Sequence, residues 1–68
     1  MTLREAKERL AAAGIEDALR EARMLFSDIG GVPEADLLNL SVSSDCPALL
    51  DAVARRERRE PLQYILGS

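Results

Sequence analysis

Seven apolar side chains between residues 15 and 29 share one arc of a helical wheel: Ile15, Ala18, Leu19, Ala22, Leu25, Phe26 and Ile29. A spacing of about 100° per residue marks an amphipathic α-helix, and no stretch of the chain shows the two-residue alternation of a half-buried strand. A segment this strongly helical, stopped by Gly30 and Gly31, commits its neighbours to burying the same arc. The chain is therefore expected to be all-α.

The remaining segments fit that expectation. Thr2 followed by Glu5 reads as a capping box, after which Leu3, Ala6, Leu10 and Ala13 repeat at helical spacing. Gly14 suits the left-handed position just past a helix end. Pro33 belongs in the first turn of a third, short helix, with Glu34 and Asp36 near its positive end and Leu37, Leu38 and Leu40 for burial. The polar stretch SVSSD, residues 41–45, breaks the pattern. A fourth helix is predicted from Asp45 or Pro47 to Arg59, turning Cys46, Leu49, Leu50, Val53 and Ala54 inward. Glu60-Pro61 interrupts it, since the residue before proline is disfavoured in helical conformation. Leu62 to Leu66 adds a last short turn. The predicted architecture is a small bundle of four helices plus a short C-terminal turn, with Leu10, Ile15, Leu19, Ala22, Leu25, Phe26, Leu38, Leu49, Leu50 and Val53 as its core.

A chain of 68 residues makes one domain, which at this size buries about 60% of its unfolded surface. A core this small seldom supplies more than about 3–5 kcal/mol. Catalytic residue types are scarce: there is no His or Trp and a single Cys. Cys46 has no partner for a disulfide, and nothing here has the spacing of a zinc site, so a buried apolar role in a reducing compartment is expected. No catalytic, cofactor-binding or metal-binding residue is assigned. The N-terminus lacks the apolar core of a signal peptide and no run approaches the ~20 residues of a membrane span, which points to a cytoplasmic protein with no membrane partner.

Charge is unevenly placed. Residues 1–54 carry ten acidic and five basic side chains, whereas residues 55–68 carry four arginines against Glu57 and Glu60. An acidic domain is a poor generic nucleic-acid binder, and direct nucleic-acid binding is not expected. A monomer is the simplest state. On the fourth helix Arg56 borders the apolar arc, while Arg55, Arg58 and Arg59 point outward, where they suit a solvated helix end or contact with another domain. On the second helix Asp17, Glu21, Met24 and Asp28 form one polar edge. Pairs from Glu16 and Asp17 to Arg20 are expected to neutralise part of it. Glu21 and Arg56 both sit where a polar edge meets an apolar arc, so a salt bridge between them is predicted.

Two stretches, AGIEDALREARMLF at residues 13–26 and RRERREPLQYILG at residues 55–67, together resemble the start of the PrmC/HemK methyltransferases, which methylate the glutamine of the GGQ motif in peptide-chain release factors. The family's acidic-Ala-x-x-Leu-Leu element is matched by Glu21, Ala22, Leu25 and, with Phe for Leu, Phe26. Its Arg-Arg element and the following Glu-Pro-Leu-x-Tyr-Ile-x-Gly are matched by Arg55, Arg56, Glu60, Pro61, Leu62, Tyr64, Ile65 and Gly67. The resemblance implies a helical substrate-recognition domain over residues 1–60, with residues 61–68 starting a linker. It places the Rossmann-like domain that binds S-adenosylmethionine, and the Asn-Pro-Pro-Tyr motif, beyond residue 68, so that this stretch alone is inactive.

Two roles follow from the resemblance. The domain helps to bind and position a release factor, with Asp17, Glu21, Met24 and Asp28 as the candidate contact, or it only stabilises the catalytic domain. An independent helical adaptor is a third, more distant reading. Arg55, Arg59, Leu62, Tyr64 and Ile65 are the candidate interdomain residues, the apolar ones expected to pack against a domain that this sequence does not contain.

Overall fold

In the computed structural model, which describes residues 1–67, four α-helices and one 3₁₀ helix follow in order: α1 (Leu3–Ala12), α2 (Ala18–Asp28), the 3₁₀ helix (Glu34–Leu38), α3 (Pro47–Glu57) and α4 (Leu62–Leu66). Ser68, the last position of the expected linker, lies outside the described residues. The described residues are all-α, and the only extended pairing among them is one antiparallel bridge between Thr2 and Ser43.

Helix α1 starts as its sequence dictates. Thr2 Oγ1 accepts from the Glu5 amide at 3.0 Å, and Glu5 Oε1 accepts from the Thr2 amide at 2.8 Å. The two amides left without a partner inside α1 find carbonyls in the middle of the chain: Leu3 donates to Val42 (2.8 Å) and Arg4 to Leu40 (3.0 Å). The 41–45 connection is thus folded back to cap α1, which its polar composition alone does not reveal.

Helix α1 ends in a Schellman turn. The Ile15 amide donates to Leu10 and the Gly14 amide to Ala11, both at 3.0 Å, with Gly14 at φ +87°. Leu10 and Ile15, buried together, make the apolar contact that accompanies this motif. Helix α3 ends the same way, with Glu60 donating to Arg55 (3.2 Å) and Arg59 to Arg56 (2.9 Å), but here an arginine takes the left-handed position at φ +69°. Gly30, after α2, serves a different need: a Cβ there would stand 2.8 Å from the Phe26 carbonyl oxygen and 3.1 Å from Leu49 Cδ2. Its bare backbone lets α2 and α3 close on each other.

The core comprises Leu3, Ala6 and Leu10 from α1; Ile15; Ala18, Ala22, Leu25 and Phe26 from α2; Leu37; Leu49, Ala52 and Val53 from α3; and Ile65 from α4. Three expected core positions are corrected. Leu38 is 82% exposed, because in a 3₁₀ helix successive residues are turned about 120° apart and Leu37 takes the inward place. Leu50 is 37% exposed, since Leu49, Ala52 and Val53 hold the inward stripe of α3. Leu19 is only partly buried, at the edge of the α2 arc. The expected third α-helix is the 3₁₀ helix, and the expected final turn is the short α4.

The C-terminal apolar residues also find partners inside the chain. Ile65 is buried and Leu62 and Leu66 pack against the core, leaving Tyr64, 67% exposed, as the outward residue of this group.

Candidate functional site

The arginine-rich end of α3 is largely engaged. Arg56 Nε donates to Glu21 Oε1 at 2.6 Å and Nη2 to Glu21 Oε2 at 3.4 Å, while Nη1 donates to the Glu60 carbonyl at 3.1 Å. The planar guanidinium fork suits this three-way contact, and Lys would not reproduce it. Side-chain exposures of 18% for Arg56 and 12% for Glu21 put the pair mostly out of water. The predicted Glu21 to Arg56 salt bridge is present.

The neighbouring charges follow suit. Arg55 pairs with the Glu60 carboxylate, Glu57 with Arg9 of α1, and Arg59 Nη1 donates to the Ala13 carbonyl at 2.7 Å. A hydrogen bond from Arg55 holds the Glu60 carboxyl below its ordinary pKa, and the reciprocal contacts to Glu60, Glu57 and Glu21 raise Arg55, Arg9 and Arg56. Arg58 and Arg59 are both exposed, as a solvated helix end requires, with Arg59 also bonded to the Ala13 carbonyl, whereas Arg55 is partly buried against Glu60. The expected pairs from Glu16 and Asp17 to Arg20 are absent among the described residues. Helix α2 begins at Ala18, so residues 16 and 17 lie in the preceding turn and do not stack one helical turn below Arg20.

The expected edge of Asp17, Glu21, Met24 and Asp28 is divided by this arrangement. Asp17 and Glu21 join Gly14, Arg56 and Arg59 around a polar cleft of about 310 Å³, in which Glu21 is already paired. Met24 and Asp28 line a second cleft of about 360 Å³ between α2 and the 3₁₀ helix, together with Arg23, Glu34, Leu37 and Leu38. Arg23 spans it, its Nε donating to the Leu37 carbonyl at 3.3 Å. Met24, an apolar residue on a polar edge, here forms cleft lining. Arg23, Glu34 and Leu38 were not singled out from sequence as site residues, because their proximity to Met24 arises only when the 3₁₀ helix folds back onto α2.

Of the candidate interdomain residues, Arg55 and Arg59 turn to partners in the chain and Ile65 faces the core; Leu62 is partly buried and Tyr64 is exposed. No group of three His, Cys, Asp or Glu side chains among the described residues is placed to hold a metal ion. Cys46 is a partly buried free thiol preceding α3. No helix among the described residues is long and apolar enough to cross a membrane.

Comparison with known proteins places residues 2–67 on the model of the PrmC N-terminal domain. Similar curated proteins are the release factor glutamine methyltransferases of Corynebacterium glutamicum (40% identical over 67 residues, 97% of this chain and 24% of that protein), Streptomyces coelicolor (36% over 63 residues, 93% and 22%) and Geobacter sulfurreducens (42% over 66 residues, 87% and 22%). The chain thus spans less than a quarter of the length of these relatives. No solved structure matches it.

Proposed function

The chain belongs to the PrmC N-terminal domain family, and we propose that it is the recognition domain of a cytoplasmic release factor glutamine methyltransferase, helping to bind and position the release factor while methyl transfer occurs in a following domain. The observation that carries this reading is the family match over residues 2–67, joined to relatives at about 40% identity that bear that name. Residues 1–60 would then act as a small bundle facing the substrate, with residues 61–68 leading to the catalytic domain.

The transferred methyl group would come from S-adenosylmethionine. The residues of this domain do not fit that cofactor, because a nucleotide-type ligand calls for a glycine-rich turn between a strand and a helix. Here Gly30 and Gly31 follow helix α2, and the described residues contain no strand. The cofactor is accordingly assigned to the rest of the protein.

The acidic character of residues 1–54 supports a basic partner surface. Exposed Tyr64, beside partly buried Leu62 and Leu66, favours a second, compatible role in packing against the catalytic domain. Titration of the chain with a release factor, followed by calorimetry, tests the recognition role. Weak saturable binding that fades with added salt is expected, and absence of binding at low salt would leave only the structural role.

A further inference from the structure

The geometry points to the cleft between α2 and the 3₁₀ helix as a docking groove for one apolar side chain carried on a lysine- or arginine-rich protein segment. Its lining includes the most exposed large hydrophobic side chain among the described residues: Leu38 stands 82% in solvent beside partly buried Met24 and the buried Leu37. What sets Leu38 apart from a leucine scattered singly on a surface is its place in a concave lining with Met24 and Leu37, and an adaptable methionine there is the type of residue that accommodates a partner's side chain.

The rim states the partner's charge. Asp28 and Glu34 line the cleft and Asp36 is exposed on the same 3₁₀ helix. Arg23, the one basic side chain of the lining, keeps its positive charge while bonded to the Leu37 carbonyl, but these three carboxylates outnumber it. A cationic segment is thereby favoured and an acidic one repelled. At about 360 Å³ the space lies at the small end of ligand pockets, which fits one or two side chains. The alternative half of the α2 edge is less available, because Glu21 is committed to Arg56.

This inference rests on the proposal that a release factor is the partner, but the groove can be probed without one. Two short synthetic peptides serve, one with a leucine flanked by lysines and one with the same leucine flanked by glutamates. The readout is the ¹³C-methyl NMR signal of Met24 and Leu38 at low salt. Saturable shifts with the lysine peptide alone, weakened at least about tenfold by Leu38→Ser and by Asp28→Lys, are expected, tenfold being what loss of one modest anchor produces. Silence at both methyls, or equal response to the two peptides, overturns the groove. Because Leu38 is exposed, Leu38→Ser should melt like the parent, which keeps the comparison clean.

With a release factor as titrant, a similar weakening by Leu38→Ser supports the groove as the recognition site. Release-factor binding that ignores Leu38→Ser overturns it and leaves the proposed function standing. A lysine peptide that binds where the release factor does not would instead sink the proposed partner and keep the groove.

Discussion

Arg59 occupies a backbone conformation that costs an L-residue about 1–2 kcal/mol, yet its side chain gains the hydrogen bond to Ala13. An exposed bond of this kind contributes about 0.5–1.5 kcal/mol, so the two effects nearly cancel. Arg59→Gly should therefore leave stability within about 1 kcal/mol of the parent, whereas Arg59→Ala keeps the strain, loses the bond and should fall below Arg59→Gly by about 1 kcal/mol. Urea midpoints of the two variants decide it; an Ala variant at least as stable as the Gly variant would refute the left-handed assignment. Gly14 is constrained by its φ of +87°, whereas the Arg59 Nη1 that a Cβ would meet at 2.8 Å is the movable tip of a long side chain. Glu21 poses a sharper case. Removing its carboxylate by Glu21→Ala leaves the mostly buried Arg56 without its charge partner and should cost about 2–3 kcal/mol, more than an exposed pair would. A loss below about 0.5 kcal/mol in chemical denaturation would mean that Arg56 simply re-pairs in solvent.

At the scale of the elements, helix ends depend on carboxylates whose ionised forms the fold prefers. Backbone and side-chain hydrogen bonds with Thr2 lower the pKa of Glu5 at the start of α1, and Arg55 lowers that of Glu60 after α3. Since both folded-state values lie below the unfolded ones, their stabilisation is complete above the ordinary carboxylate range and disappears as pH falls through the depressed values. The melting temperature should therefore drop between about pH 5 and pH 3, and drop less in Glu5→Gln and Glu60→Gln. Identical acid sensitivity in all three proteins would exclude these two groups as its source. The Thr2 and Glu5 cap was legible in the sequence, as were Gly14, Pro47 at the start of α3 and the Glu21 to Arg56 pair, because each follows from local spacing or from two amphipathic arcs that must meet. What was not legible depends on chain reversal. Leu38 turns outward because the 3₁₀ helix winds more tightly than an α-helix, and Arg55 and Arg59 find Glu60 and Ala13 only after the Schellman turn bends the backbone. Nor does the α2 edge by itself show that Asp17 and Glu21 line one cleft with the α3 end while Met24 and Asp28 line another with residues 34–38.

For the whole molecule, a radius of gyration of 10.5 Å leaves room for one small core in which each large side chain counts. Phe26, fully buried, should cost about 3–5 kcal/mol when replaced by alanine, comparable with the entire stability expected for a domain this size. Phe26→Ala is thus expected to be largely unfolded at room temperature by circular dichroism, and a cooperative melt near the parent's would contradict the packing described. Ile65 belongs to the same core from the far side of Pro61, so Ile65→Ala should also destabilise, by about 2–4 kcal/mol. Its burial has a mechanical side. With the bend at Arg59 held by the Schellman turn and α4 packed through Ile65, this stretch has the shape of a bracket. Anything joined after Gly67 would inherit a set direction from the helices, and loosening Ile65 would turn that fixed mount into a swivel without touching either partner's surface.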